Sequence, residues 1–408
     1  MLRAMLHALL GTVLLFTSLV FTGTGSASAA ALVEVTEFGD NPSGLGMHVY
    51  VPDNVADKPA LVVAAHYCTG SGPVLHQGSE FGTMADRYGF VVVYPSATRP
   101  GHCFDSSSPE ALSRNGGSDP VGVRSMVRHA IEEYDVDPKR VFVVGVSSGA
   151  MLANVLLAHY PDVFAAGSAF MGVPYTCFAS PWGWNSDCSG GRTVKTPQEW
   201  GDLVRAAYPG YRGKRPRMQL WHGADDNAVS YVNLGEQVKQ WTDVHRVGQV
   251  PAATDNPQPA WTRSRYGGAG TAAKVESVSL QGIGHWLPLP GMAQYAMEFF
   301  GLSVPCRVSY RTDAWEHGLT AYITVANRGA FPVKDWRLSF TLPTGQRITS
   351  GWNAVYSGAS GPVTARPAGY NAVIEDGDSI RLGLVASHTG DRSKPTAFTL
   401  NGTNCEVI

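Results

Sequence analysis

Charged residues make up only 16% of this 408-residue sequence, and no run of them is basic. With a formal net charge of −2, the chain lacks the electrostatic footprint that nucleic acid requires. No two of its six cysteines have CxxC spacing, which removes the usual structural zinc frameworks. There is no internal repeat, so solenoids and propellers are excluded. Beyond the first thirty or so positions, no segment is apolar for long enough to span a bilayer. No long Pro/Thr or Gly/Ser linker interrupts the chain either, so its domains are expected to lie close together.

The length exceeds one ordinary core, and two domains are expected. Arg3 precedes an apolar stretch from about Ala8 to Phe21, and small residues ending in Ala27-Ser28-Ala29 follow. This is the pattern of an export signal over 1–29, cleaved near Ala30, and it makes the protein extracellular. All six cysteines, Cys68, Cys103, Cys177, Cys188, Cys306 and Cys405, fall in the mature part. An even number in an exported chain points to disulfides, with many connectivities open. Domain logic favours Cys306 with Cys405, Cys177 with Cys188, and Cys68 with Cys103.

Two rhythms divide the mature chain. Over 30–303, buried-strand runs such as Ala60–Ala65, Phe90–Tyr94 and Arg140–Val144 alternate with helical patterns, one of them between Val121 and Tyr134. That alternation predicts an α/β domain around a largely parallel sheet. The Trp-, Gly-, Pro- and Cys-rich stretch from Gly172 to Pro216 breaks the rhythm and reads as a long loop over one end of the sheet. Over 304–408 the apolar period becomes two, as in Leu319–Val325, Trp336–Leu342 and Ile380–Leu384. This predicts a separate all-β sandwich, its ends tied by Cys306 and Cys405.

The strongest local signal is Gly145-Val146-Ser147-Ser148-Gly149, set between an apolar strand and a helical run beginning at Ala150. A GxSxG sequence alone is weak. In this setting it marks a tight turn that thrusts a serine hydroxyl outward above a helix N-terminus. Serine needs a base to take its proton and an acid to orient that base, in the chain order Ser, acid, His. His285 and the adjacent Asp225 and Asp226 all fall just past strand ends, and spacing does not choose between the two aspartates. One oxyanion donor is expected from the Ser148 N–H. The other is expected in the His66-Tyr67-Cys68-Thr69-Gly70 loop, with Cys68 favoured over Tyr67.

With these residues placed, the first three hundred resemble the α/β-hydrolase esterases grouped with poly(3-hydroxybutyrate) depolymerases, which include acetylxylan and feruloyl esterases. The matching stretches are His66–Gly70, His102–Asp105, Gly145–Met151, Tyr160–Gly167, Trp184–Cys188, His222–Asp226 and Gly284-His285. The resemblance points to Asp226 as the acid, four positions after His222. Tyr67 replaces the glycine of the family's His-Gly-Cys loop. The last hundred residues resemble a family 2 carbohydrate-binding module, through Cys306, Val325–Gly329, Gly351–Asn353, Pro395–Gly402 and Cys405. That resemblance implies sugar stacking on Trp315, Trp352 and Tyr370, with Tyr370 where tryptophan is usual. Trp336, within an alternating run, is expected in the core.

The resulting expectation is a serine carboxylesterase using Ser147, Asp226 and His285, without metal or cofactor. It acts as a monomer on an esterified cellulose- or xylan-associated polysaccharide and has no membrane or nucleic-acid partner. A polyhydroxyalkanoate depolymerase is the enzymatic alternative. A non-catalytic polysaccharide-binding protein is the alternative of another class, and the intact Ser, Asp and His speak against it.

Overall fold

The computed structural model describes residues 30–408, apart from 271, 287, 304, 305, 330, 331 and 376. The expected export signal over 1–29 lies outside the described residues.

Strands β1 (Leu32–Val35), β2 (Gly46–Tyr50), β3 (Leu61–Ala65), β4 (Val91–Ser96) and β5 (Val141–Val146) are followed by β6 (Ala166–Phe170), β7 (Arg217–Gly223), β8 (Ala253–Asp255), β9 (Trp261–Tyr266) and β10 (Val275–Leu280). They form one sheet in the order β1-β2-β4-β3-β5-β6-β7-β10-β9-β8. The six strands from β4 to β10 in this order are parallel. Antiparallel pairs close both edges. The largely parallel sheet expected from the sequence is therefore its middle, where β3, β5, β6 and β10 are buried at every position.

Alternation along β3 splits the core in two. Leu61, Val63 and Ala65 pack with Leu152, Val155 and Leu156 of the helix Ser148–His159. Val62 and Ala64 face Met292, Ala296 and Phe300 of the helix Met292–Phe300. Truncating a leucine as enclosed as Leu152 to alanine costs about 2–5 kcal/mol in such a setting. This packing fixes the strand ends from which the functional loops emerge.

The expected helix near Val121–Tyr134 is Asp119–Glu133, with Pro120 in its first turn and Val123, Met126, Val127 and Ala130 turned inward. The stretch from Gly172 to Pro216 is not one long loop. It contains the helix Pro197–Ala206, started by a capping box in which the Thr196 hydroxyl accepts the Glu199 N–H and the Glu199 carboxylate accepts the Thr196 N–H. Buried Trp200 anchors that helix, its indole N–H donating to Glu236 at 2.8 Å.

The C-terminal part is a β-sandwich. One sheet runs Arg347–Trp352, Ser379–Ser387, Gly318–Asn327, Cys306–Trp315, Glu406–Val407. The other runs Ala354–Ser357, Pro362–Pro367, Leu338–Thr341, Phe398–Leu400, Thr403–Asn404. Between them lie Val308, Tyr310, Leu319, Ala321, Ile323, Val325 and Phe398. Trp336 is fully buried as expected, but it precedes its strand, and its indole N–H donates to the Asn371 carbonyl at 2.6 Å.

The disulfides are Cys68–Cys103, Cys177–Cys188 and Cys306–Cys405. The last joins residues 99 apart, and closing so long a loop stabilises the sandwich by about 4.7 kcal/mol in the chain-entropy account. Arg87 and Tyr88 of the α/β part both donate to the Arg328 carbonyl of the sandwich, each at 3.1 Å.

Candidate functional site

Ser147 occupies the turn between β5 and the helix Ser148–His159, with φ 54° and ψ −112°. Few non-glycine residues adopt such a conformation, and it is held here because its neighbours leave no alternative. A Cβ at Gly145 would strike the Gly149 backbone, and one at Gly149 would strike the Ala65 carbonyl. The Ser147 N–H is tied to the Phe170 carbonyl at 2.9 Å, and its own carbonyl accepts the Met151 N–H at 3.0 Å. The hydroxyl therefore stands above the positive end of a twelve-residue helix.

Asp226 and His285 sit on the loops after β7 and β10, which are adjacent parallel strands. A Cβ at Gly223 would meet the Ile283 carbonyl, so the two loops cross in close contact. Asp225 is exposed and donates its N–H to that same carbonyl at 3.0 Å, whereas Asp226 turns inward. His285 Nδ1 lies 2.7 Å from Asp226 Oδ2, and His285 Nε2 lies 3.0 Å from Ser147 Oγ. A carboxylate at Nδ1 places the ring proton there, which leaves Nε2 free to accept from the serine.

Asp226 is held at both oxygens. Oδ1 accepts the N–H groups of Ala228 and Val229, at 2.9 and 2.8 Å. His222 Nε2 lies 3.3 Å from Oδ2 and 2.9 Å from the Val229 carbonyl. Burial alone would raise the Asp226 pKa. Bonds from His222, His285 and the Val229 amide outweigh it and hold the carboxyl well below the usual carboxylate range. His222 was not singled out from sequence as a partner of the acid. Its spacing of four from Asp226 was visible, but only the turn shows that the two side chains meet.

The other histidines downstream of Ser147 in this part are engaged elsewhere. His159 pairs with the Tyr175 hydroxyl at 3.0 Å, and His245 with the Pro216 carbonyl at 2.8 Å. Burial pushes both down to about 4.

A cavity of about 460 Å³ opens beside Ser147, with Cys68, Phe104, Ser148, Met151, Phe178 and Trp184 among its lining. The lining is mainly apolar, as acyl-group pockets are. Cys68 and Ser148 both border it, and no described residue accepts a hydrogen bond from either backbone N–H.

In the sandwich, Trp315, Trp352 and Tyr370 are exposed, at 49%, 36% and 76%. Strand register shows how two of them are seated. Trp315 lies opposite Gly318, and Trp352 opposite Gly383, which in turn faces Tyr322. A Cβ on either glycine would collide with the neighbouring indole, so each ring rests directly on the backbone of the next strand. Tyr322 shares this outward face, with its ring centroid 5.9 Å from that of Trp352, and was missed from sequence. The Tyr370 hydroxyl reaches Asn353 beside Trp352 at 2.5 Å.

A strained serine turn after a central parallel strand, with an aspartate and a histidine meeting it from loops after two later strands, is the arrangement of an α/β-hydrolase. Residues 45–182 match the esterase PHB depolymerase family, and residues 306–405 match the cellulose binding domain family. An acetylxylan esterase from Coprinopsis cinerea is 44% identical over 281 residues, which cover 67% of this chain and 74% of that one. Feruloyl esterase B from Talaromyces stipitatus is 41% identical over 280 residues, covering 67% and 77%. The solved structure of an acetyl xylan esterase from Aspergillus awamori has 40% identity and a TM-score of 0.63, and 67% of this chain matches 100% of that one. The chain belongs to this esterase family and is a carboxylic ester hydrolase. Its C-terminal part is a family 2 carbohydrate-binding module.

Proposed function

We propose that the protein is a secreted serine esterase that removes acetyl or feruloyl groups from xylan while its C-terminal module holds it on the polysaccharide. The observation carrying this reading is the unbroken chain Ser147 Oγ, His285 Nε2, His285 Nδ1, Asp226 Oδ2 at the edge of an apolar pocket. Ser147 Oγ attacks the ester carbonyl as His285 Nε2 takes its proton. The N–H groups of Ser148 and Cys68 receive the developing oxyanion. His285 then gives that proton to the leaving sugar oxygen, leaving an acyl-serine. A water, deprotonated by His285, releases the acid and restores the hydroxyl. Asp226 keeps the imidazole in the required tautomer throughout.

Secretion is supported by the pattern of residues 1–29 together with three disulfides. The esterase unit is assigned to 30–303 and the binding module to 304–408. The module's ten Lys/Arg against eight Asp/Glu leave it near neutral, which suits stacking of Trp315, Trp352 and Tyr370 on an uncharged polymer. Holding the enzyme on its substrate raises the local concentration of esters without changing the chemistry. The relatives named acetylxylan esterase and feruloyl esterase support this substrate class. The name of the matching family keeps a polyester depolymerase as the second reading.

The deciding experiment incubates the full chain with acetylated xylan, feruloylated arabinoxylan and poly(3-hydroxybutyrate), and quantifies acetate, ferulate and 3-hydroxybutyrate. Release of acetate or ferulate is expected. Release of 3-hydroxybutyrate alone would overturn the polysaccharide reading.

A further inference from the structure

The loop after β3 carries a histidine that the reaction scheme does not use. His66 is fully buried, and its ring packs 4.5 Å from that of Phe104. Its Nε2 accepts the Ala97 N–H at 3.0 Å, so that nitrogen is bare and the ring proton sits on Nδ1. Nδ1 then donates to the Tyr67 carbonyl at 2.6 Å, and the Gly70 N–H reaches the same oxygen at 3.1 Å. Burial lowers the His66 pKa, against the opposing bond to the Tyr67 carbonyl, and so favours the neutral ring that the Ala97 contact requires.

A trans peptide is planar, with its C=O and N–H on opposite sides. The peptide between Tyr67 and Cys68 must therefore turn its N–H away from His66 when its oxygen turns toward it. Cys68 borders the cavity together with Ser147 and Ser148. The carbonyls of Ala65 and His66 lie against Gly149, on the far side of the nucleophile turn, so loop and turn are in close contact. The Cys68–Cys103 disulfide and the bond from Thr69 N–H to the Gly101 carbonyl, 2.8 Å, fix where the loop lies. Neither sets the rotation of the Tyr67–Cys68 peptide, which is held at its oxygen by the short His66 contact and the longer one from the Gly70 N–H.

We infer that His66 is a positioning residue: by holding the Tyr67 carbonyl, it aims the Cys68 N–H at the oxygen that becomes negative during ester hydrolysis. This rests on the reading of Ser147 as nucleophile and of Cys68 as the second oxyanion donor. A donor that is present but misaimed costs turnover rather than ground-state affinity, because the charge it serves exists only in the transition state.

The test compares His66→Ala, His66→Asn and His66→Gln in the full chain, with 4-nitrophenyl acetate as substrate. An asparagine amide falls near the position of Nδ1 and can still donate to the Tyr67 carbonyl. A glutamine amide falls near Nε2 and reaches only Ala97. H66A is expected to lose about 30- to 100-fold in kcat with KM within about threefold. H66N should return to within about tenfold of the wild type, and H66Q should stay as poor as H66A. Wild-type kcat in H66A, a loss confined to KM, or equal kcat in H66N and H66Q would overturn the inference. If H66A does not fold, the contrast between the two amide variants carries the test alone. Labelling of each variant with a serine-directed phosphonate separates the two levels. An adduct on Ser147 in the wild type and the variants leaves the nucleophile reading standing whatever happens to kcat, and no adduct in the wild type overturns that reading itself.

Discussion

His222 Nε2 lies 3.3 Å from Asp226 Oδ2, the same oxygen that faces His285 Nδ1 at 2.7 Å. One carboxylate oxygen thus sits between two histidines, and the other accepts two backbone amides. The Asp226 carboxylate is fixed in place without substrate, and in the proposed reaction little reorganisation is needed when His285 takes up a proton.

His222→Ala should therefore lower kcat by about 10- to 100-fold with a smaller change in KM, because Asp226 would lose one of its restraints. His222→Gln keeps an N–H near the position of Nε2 and should lose about tenfold or less. Steady-state kinetics on a soluble acetyl ester reads the difference. Wild-type kcat in H222A would remove His222 from the account.

Asp226 and Asp225 should separate sharply. Asp226→Asn is expected to lose about ten-thousandfold in kcat, since an amide favours the wrong tautomer of His285. Asp225→Asn, at an exposed position, should stay within about threefold of the wild type. The same assay on both variants checks the assignment.

Gly383 is the seat of Trp352, and a Cβ there would collide with the indole. Gly383→Val should displace that ring and weaken adsorption to insoluble cellulose or xylan by about tenfold, a loss of about 1.4 kcal/mol. Hydrolysis of a soluble ester should be unchanged. A depletion isotherm with Trp352→Ala as the comparator measures the effect.

Stability should carry a pH signature from Glu298. Burial pushes its carboxyl up to about 7, with Glu276 adding to the shift and Gln294, Arg263 and Arg265 opposing it. A carboxyl whose folded pKa lies above its ordinary value binds protons more tightly in the native state. The chain should therefore lose stability as pH rises from about 4.5 to 7, by on the order of 1–3 kcal/mol, and Glu298→Gln should flatten that slope. The depressed Asp226 acts in the opposite sense and at lower pH. Thermal melts across about pH 2 to 8 distinguish the two, the Glu298 slope lying above about pH 4.5 and the Asp226 slope below about pH 4.

Legibility in the sequence followed how locally each feature is specified. The run Val275–Leu280 is β10 end to end, its Val275, Val278 and Leu280 marking the strand, although the burial of Glu276, Ser277 and Ser279 between them comes only from the fold. β6 was not anticipated, since Ala166-Gly167-Ser168-Ala169-Phe170 lacks β-branched residues and becomes a strand through the neighbours that enclose it. The helix Pro197–Ala206 was overlooked although Thr196 and Glu199 mark its start, because composition around it suggested a loop. That Ser147 and His285 would meet was legible because strand, turn and order are sequence properties. Spacing left Asp225 and Asp226 open and only the family resemblance pointed to Asp226; which of them faces His285 depends on how one turn crosses the His285 loop. The tasks of His66 and His222 depend on carbonyls and carboxylates that only the folded chain brings to them. The seating of Trp352 on Gly383 needs strand register, which spacing does not supply.

The proposed reaction begins with attack on the ester by the Ser147 hydroxyl, activated by His285. Mass spectrometry of the intact protein after reaction with a fluorophosphonate, followed by peptide mapping, tests it most directly. A single adduct on Ser147 is expected, with loss of both labelling and esterase activity in Ser147→Ala and polysaccharide binding retained. Full hydrolysis by Ser147→Ala, or an adduct on a different residue, would contradict it.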